Sequence, residues 1–242
     1  MKQAFRYFGE SFGELYADLG RMILANIFWF LLILPALVLI ELLASFINRP
    51  GEDMAVKLVP IIILGLPALL ALMALAGPGT AALYSVTHTF VRGDLFEPTA
   101  FWRAFRHYFW SGWRLAATNL AVCALILLNA WFYRAIGIAG GTVLSLVFTT
   151  LLFGWLLFQP YLFPFLVEFN QPVRRVWRNA AFMVLDNLGL TLGLFLARSF
   201  LLVVATAFVL PVPTILGVLL AQVDSRAVVG AVQRYREAGR VF

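Results

Sequence analysis

Charge is what this sequence has least of. Asp, Glu, Lys and Arg make up 12% of its 242 residues, about half the roughly 25% of an ordinary soluble domain. This argues against a soluble enzyme of this size, because so few charges cannot clothe the apolar side chains that would reach its surface; long buried helices of a soluble bundle are the alternative. Cysteine is nearly absent as well. Cys123 stands alone in an apolar run, so no intramolecular disulfide or cysteine metal site can form, and the residue reads as a small buried hydrophobe. The only histidines, His88 and His107, are nineteen positions apart and offer no metal-ligand spacing. No phosphate-cradling glycine loop with a following Lys-Ser/Thr is present, and no H-E-x-x-H. Arg92-Gly93-Asp94 is a polar turn. The sequence therefore predicts no enzyme, catalytic residue, metal or cofactor, and any ATP-driven role would need another subunit.

What the sequence does have is apolar length. Hydrophobic residues make up 62% of the chain, and its mean hydropathy is +0.91. These values point to an all-α polytopic membrane bundle formed as a single transmembrane domain over 1–242. A helix needs about 20 apolar residues to cross the hydrocarbon layer. Runs of that kind predict spans at 22–47, 58–86, 115–132 and 135–167. The run 180–221 is too long for one span, and Arg198-Ser199 divides it into 180–197 and 200–221. The rival reading has five spans, with 180–221 forming one span and a half-buried helix. In the fourth run, Pro160 and Pro164 predict a bent or re-entrant end. Glu10, Glu14 and Asp18 precede the first run, which reads as an uncleaved signal rather than a cleaved leader.

The basic residues set the orientation. With six spans and both termini inside, Lys2, Arg6 and Arg21, then Arg92, Arg103, Arg106 and Arg114, then Arg174, Arg175 and Arg178, and finally Arg226, Arg234, Arg236 and Arg240 fall on the cytoplasmic side. Arg49, Lys57, Arg134 and Arg198 fall outside. This asymmetry follows the positive-inside rule. It also accounts for the net charge of +6 through an anionic cytoplasmic leaflet, with no need for nucleic acid.

Each odd-numbered span follows a short amphipathic segment. In 3–20, Phe5, Phe8, Phe12, Leu15 and Leu19 recur at helical spacing. In 99–113, Phe101, Phe105 and Trp113 oppose Arg103, Arg106 and Arg114. In 173–179, Val173, Val176 and Trp177 oppose Arg174, Arg175 and Arg178. Such helices rest in the interface or pack against the bundle or a partner. Together with Asn26, Asn119 and Asn187 near the odd spans, they suggest three repeated hairpin units.

Two features inside the spans are candidates for function. Gly77-Pro78-Gly79-Thr80 can break or bend the second span, lining a cavity or simply kinking the helix. Asp186, in the fifth predicted span, needs a polar partner or a wet cavity if it lies deep, and needs neither near the headgroups. Glu41, Glu168 and Arg198 are further charges at span ends. Small-residue spacings at Gly137/Gly141 and Gly189/Gly193 suit close helix crossings.

The run Asn26-Ile27-Phe28-Trp29, the stretch Ala76-Gly77-Pro78-Gly79-Thr80-Ala81-Ala82-Leu83-Tyr84, Val91-Arg92-Gly93-Asp94 and the aromatic helix ending at Trp113 resemble the YesL-like family of bacterial multi-span membrane proteins. The resemblance covers about residues 10–200 and is best marked over 76–113. It implies a bacterial cytoplasmic membrane location and an accessory or scaffold role linked to carbohydrate uptake, with membrane subunits of a sugar transporter as partners. A small-solute permease or channel is the alternative. The family supplies no catalytic or ligand-binding residues to carry over.

Overall fold

The computed structural model describes residues 7, 19–49, 53, 56, 59–92, 99–136, 140–207, 212–237 and 239. Among them there is no strand, so the fold is all-α. In chain order the helices are α1 (Leu19–Ile47), α2 (Leu66–Val91), α3 (Ala100–His107), α4 (Phe109–Ala135), α5 (Gly141–Phe169), α6 (Val173–Asp186), α7 (Leu188–Ala207) and α8 (Gly217–Glu237). Wider π-helical turns, Ile61–Gly65 and Val212–Leu216, lead into α2 and α8.

Among the described residues, five helical segments are long and apolar enough to cross a membrane: Gly20–Ile47, Phe109–Ala135, Gly141–Phe169, Leu188–Ala205 and Thr214–Glu237. Helix α2, 26 residues long, is a sixth long helix; with the π-helical turn Ile61–Gly65 it covers 61–86 of the predicted run 58–86 and continues to Val91. α5 continues through Pro160 and Pro164 without re-entering. At 29 residues it is about 43 Å long, at 1.5 Å per residue, which exceeds the hydrocarbon layer and accommodates the surplus.

The last third of the chain departs from expectation. The predicted span 180–197 does not exist as a unit. Residues 173–186 form the separate helix α6, which ends at Asn187 with non-helical φ −129 and ψ 48. Arg198 is not an outer turn but lies inside α7, and the break between the last two long helices falls between 207 and 212. Residues 222–237, expected as a cytoplasmic tail, continue α8. Locating span ends by charge fails here because Arg198 meets Asp224 within the bundle, and a neutralised pair can stay inside. The expected interfacial helix 99–113 is likewise cut at Tyr108, whose φ −92 and ψ 11 are not those of an α-helix, and 109–113 already belong to α4. Of the predicted segment 3–20, residues 1–6 and 8–18 lie outside the described residues, as does Gly137.

α8 is the central helix. In its most apolar window 72% of residues are buried, against 6% for α4, and it packs on α1, α2, α5 and α7. The core gathers at one end of the bundle, where Tyr161, Phe165, Leu166, Val223, Ala227 and Val228 are fully enclosed. Toward the other end Leu42, Leu125, Leu128, Val143 and Leu146 are exposed, as lipid-facing side chains should be. Two close crossings hold the core. A Cβ on Gly77 would sit 2.6 Å from the Gly112 carbonyl oxygen of α4, and one on Gly217 would sit 2.6 Å from the Trp29 ring. Small residues let backbones approach in this way.

Two measurements test this arrangement. Gly77→Ala and Gly217→Ala should each destabilise the detergent-solubilised protein by about 1–3 kcal/mol through overpacking. Gly154→Ala should be silent, since a Cβ there meets nothing within 4 Å. In a Cys123→Ala background, cysteines at Asp53 and Gly140 should react with an impermeant maleimide from one side of the membrane and those at Gln171 and Gly239 from the other. Labelling of Asp53 and Gly239 from the same side would break the six-helix arrangement.

Candidate functional site

The polar side chains of α8 and its neighbours form a ladder along the bundle. The first rung answers a backbone need. The opening turn of a helix leaves N–H groups without intrahelical acceptors, and the Val218 N–H donates instead to Asn26 Oδ1 of α1 at 2.9 Å, with Asn26 fully buried. Beside it, Trp29 Nε1 donates to Thr80 Oγ1 at 3.1 Å, and the Thr80 hydroxyl donates to the Ala76 carbonyl at 2.9 Å. This is where the expected break at Gly77, Pro78, Gly79 and Thr80 falls. The helix runs through it, with Gly77, Pro78 and Gly79 buried in helix contacts.

The second rung is Tyr84, Arg198 and Asp224, brought together from α2, α7 and α8. Tyr84 donates its hydroxyl to Asp224 Oδ2 at 2.6 Å, and the Arg198 guanidinium donates to the same oxygen. The Asp224 side chain has no solvent exposure and that of Arg198 has 21%. Gln222 and Ser225 are fully buried alongside, and the other carboxylate oxygen, Asp224 Oδ1, and the Ser225 hydroxyl have no hydrogen-bond partner among the described residues. Isolated buried charges are very costly, and pairing them recovers that cost only with good geometry. This rung therefore constrains the packing of three helices.

The third rung lies where α2, α5 and α8 end. Glu168, 3% exposed, takes His88 Nε2 at 2.5 Å and Arg92 Nη2 at 2.9 and 2.8 Å to its two oxygens, with Arg236 Nη2 at 3.7 Å. Next to it Asp186 accepts from the Tyr235 hydroxyl, which in turn accepts from Asn187 Nδ2 at 2.6 Å. Tyr108, between α3 and α4, directs its hydroxyl at the Val167 carbonyl at 3.4 Å, and burial pushes its pKa above the ordinary tyrosine value. It stays a neutral donor.

Asp186 lies outside the helices long and apolar enough to cross a membrane. It is the exposed last residue of α6. It meets Tyr235 while Thr80 meets Trp29, so the two sequence candidates have different neighbours. The fully enclosed acid among the described residues is Asp224, in the candidate span Thr214–Glu237 and beyond the end of the predicted span 200–221. Its signal was the polar cluster Gln222, Asp224, Ser225 within an otherwise apolar and small-residue stretch, with one unmatched arginine, Arg198, in the helix before it. Arg103, Arg106, Arg114, Arg174, Arg175 and Arg178 are all exposed. They lie on α3, α6 and the start of α4, and the Trp177 indole of α6 lies 3.5 Å from Thr118 of α4. No group of three or more His, Cys, Asp or Glu suited to a metal occurs among the described residues. Gly9-Glu10-Ser11-Phe12-Gly13 spells the G-x-S-x-G pattern. It lies outside the described residues, and that pattern needs a strand-to-helix turn.

Arg198→Met leaves Asp224 buried without its cation and should cost about 3–5 kcal/mol. Asp224→Leu leaves the reciprocal defect. The double variant should lose clearly less than the two single losses combined, as a thermal-unfolding cycle in detergent will read. Simple additivity would show that the two side chains are not coupled.

No family model, curated protein or solved structure matches the chain.

Proposed function

We propose that the chain is an integral protein of the bacterial cytoplasmic membrane, with both termini cytoplasmic, serving as an accessory or scaffold component of carbohydrate uptake. The observation that carries this reading is the basic end of the bundle. α3 and α6 bury Phe101, Val176 and Met183 against the core and leave Arg103, Arg106, Arg174, Arg175 and Arg178 exposed. Trp102, Trp110, Phe182 and Leu185 are exposed beside them, which suits helices lying at a headgroup surface. Moving Arg198 into the bundle leaves Arg49, Lys57 and Arg134 as the outer basic residues, so the charge asymmetry favours this orientation more strongly. The link to sugar uptake rests on the YesL-like resemblance.

A permease is the second reading, and the observation favouring it is that Asp224 Oδ1 and Ser225 Oγ, deep in the bundle, have no hydrogen-bond partner among the described residues. Intramembrane acids of this kind often mark solute or proton paths.

Affinity purification from native membranes in mild detergent separates the two. The accessory reading expects transporter permease subunits to co-purify, and expects the quintuple Arg→Gln variant at 103, 106, 174, 175 and 178 to lose them. Recovery of the protein without any membrane partner would sink it. In proteoliposomes loaded with labelled mono- and oligosaccharides, the accessory reading expects no flux above empty vesicles, whereas flux abolished by Asp224→Asn establishes the permease.

A further inference from the structure

The ends of α2, α5 and α8 enclose a half-open cavity of about 500 Å³. Arg92, Glu168, Gln233 and Arg236 supply its polar lining, and Val229 and Val232 are among its apolar walls. Glu168 is buried and already held by His88 and Arg92. Arg92 reaches it through Nη2 alone. Arg236 stands 3.7 Å away, beyond hydrogen-bond range. The Nε and Nη1 groups of both arginines and the Gln233 amide therefore have no hydrogen-bond partner among the described residues. Two guanidiniums face one carboxylate, leaving at least one positive charge in excess. The arginine side chains, 49% and 66% exposed, are open to an incoming ligand.

Planar guanidinium forks match the oxygens of phosphate better than they match a point anion such as chloride. The volume falls within the roughly 300–1,000 Å³ of small-molecule pockets, more than inorganic phosphate fills, and the valines suit a carbon skeleton. We propose that this cavity binds a phosphate ester, its phosphate held by Arg92, Arg236 and Gln233. The source is either the headgroup of an anionic glycerophospholipid or a small soluble phosphate ester. The inference is independent of the accessory role, and its failure leaves the co-purification result untouched.

The test uses the full chain in dodecyl maltoside. In one arm, glycerol 3-phosphate and glucose 6-phosphate are titrated with unfolding temperature as the readout, against sodium chloride at matched ionic strength. In the other, retention of phosphatidylglycerol against phosphatidylcholine is read by native mass spectrometry. Saturable binding is expected in one arm, and that arm names the source. Arg92→Gln and Arg236→Gln should weaken it at least tenfold, and Arg174→Gln should leave it unchanged. Arg236→Gln keeps the Arg92–Glu168 bonds, so its ligand-free unfolding temperature should match the wild type and it decides the matter if Arg92→Gln does not fold. Absence of saturable binding in both arms, or wild-type affinity in Arg236→Gln, overturns the proposal.

Discussion

A guanidinium and a carboxylate inside an apolar bundle must find each other, and the contact between Arg198 and Asp224 organises much of this structure. Asp224 is fully enclosed. It ties α8 to α7 through Arg198 and to α2 through Tyr84. A helix carrying Gln222, Asp224 and Ser225 cannot face lipid, because each polar group would lose water without gaining a partner. α8 is accordingly the helix that the others surround, and the more uniformly apolar α1, α4 and α5 take the outer positions.

The neighbouring contacts extend that constraint along the bundle. Asn26 caps the start of α8 from α1, and Gly217 lets the two helices come close enough for the cap to form. Gly77 and Gly112 do the same for α2 and α4. Between lipid-soluble helices the apolar side chains themselves supply little net attraction, so close packing and internal hydrogen bonds have to set the arrangement. The motif from Gly77 to Thr80 belongs to this packing, with Thr80 tying α2 to Trp29.

At the end where α2, α5 and α8 terminate, the chemistry changes. Glu168 gathers His88, Arg92 and Arg236, and the amphipathic α3 and α6 carry exposed arginines. A buried acid with more than one cation around it is stable only near water or an anion, because the surplus charge needs a counter-charge or hydration. The structure thus separates a neutral, internally paired middle from a positively charged rim. The accessory reading and the phosphate-ester site both concern the rim, and the permease reading concerns the middle.

The sequence by itself determined the all-α class with several membrane-length helices and the C-terminal ends of α1 and α5 to within two residues, because apolar run length is a local property set by bilayer thickness. It also marked the basic segments, since charge placement is local too. Arg198 and Asp224 were beyond local reading. Each charge, taken alone, reads as the end of a span, and only a partner 26 positions away lets it remain inside. The break at Asn187 was hidden in the opposite sense, since the apolar run around Asp186 did not reveal that α6 and α7 are separate helices. Tertiary structure decided these points because the cost of burying a charge depends on the group facing it, and that group belongs to another helix.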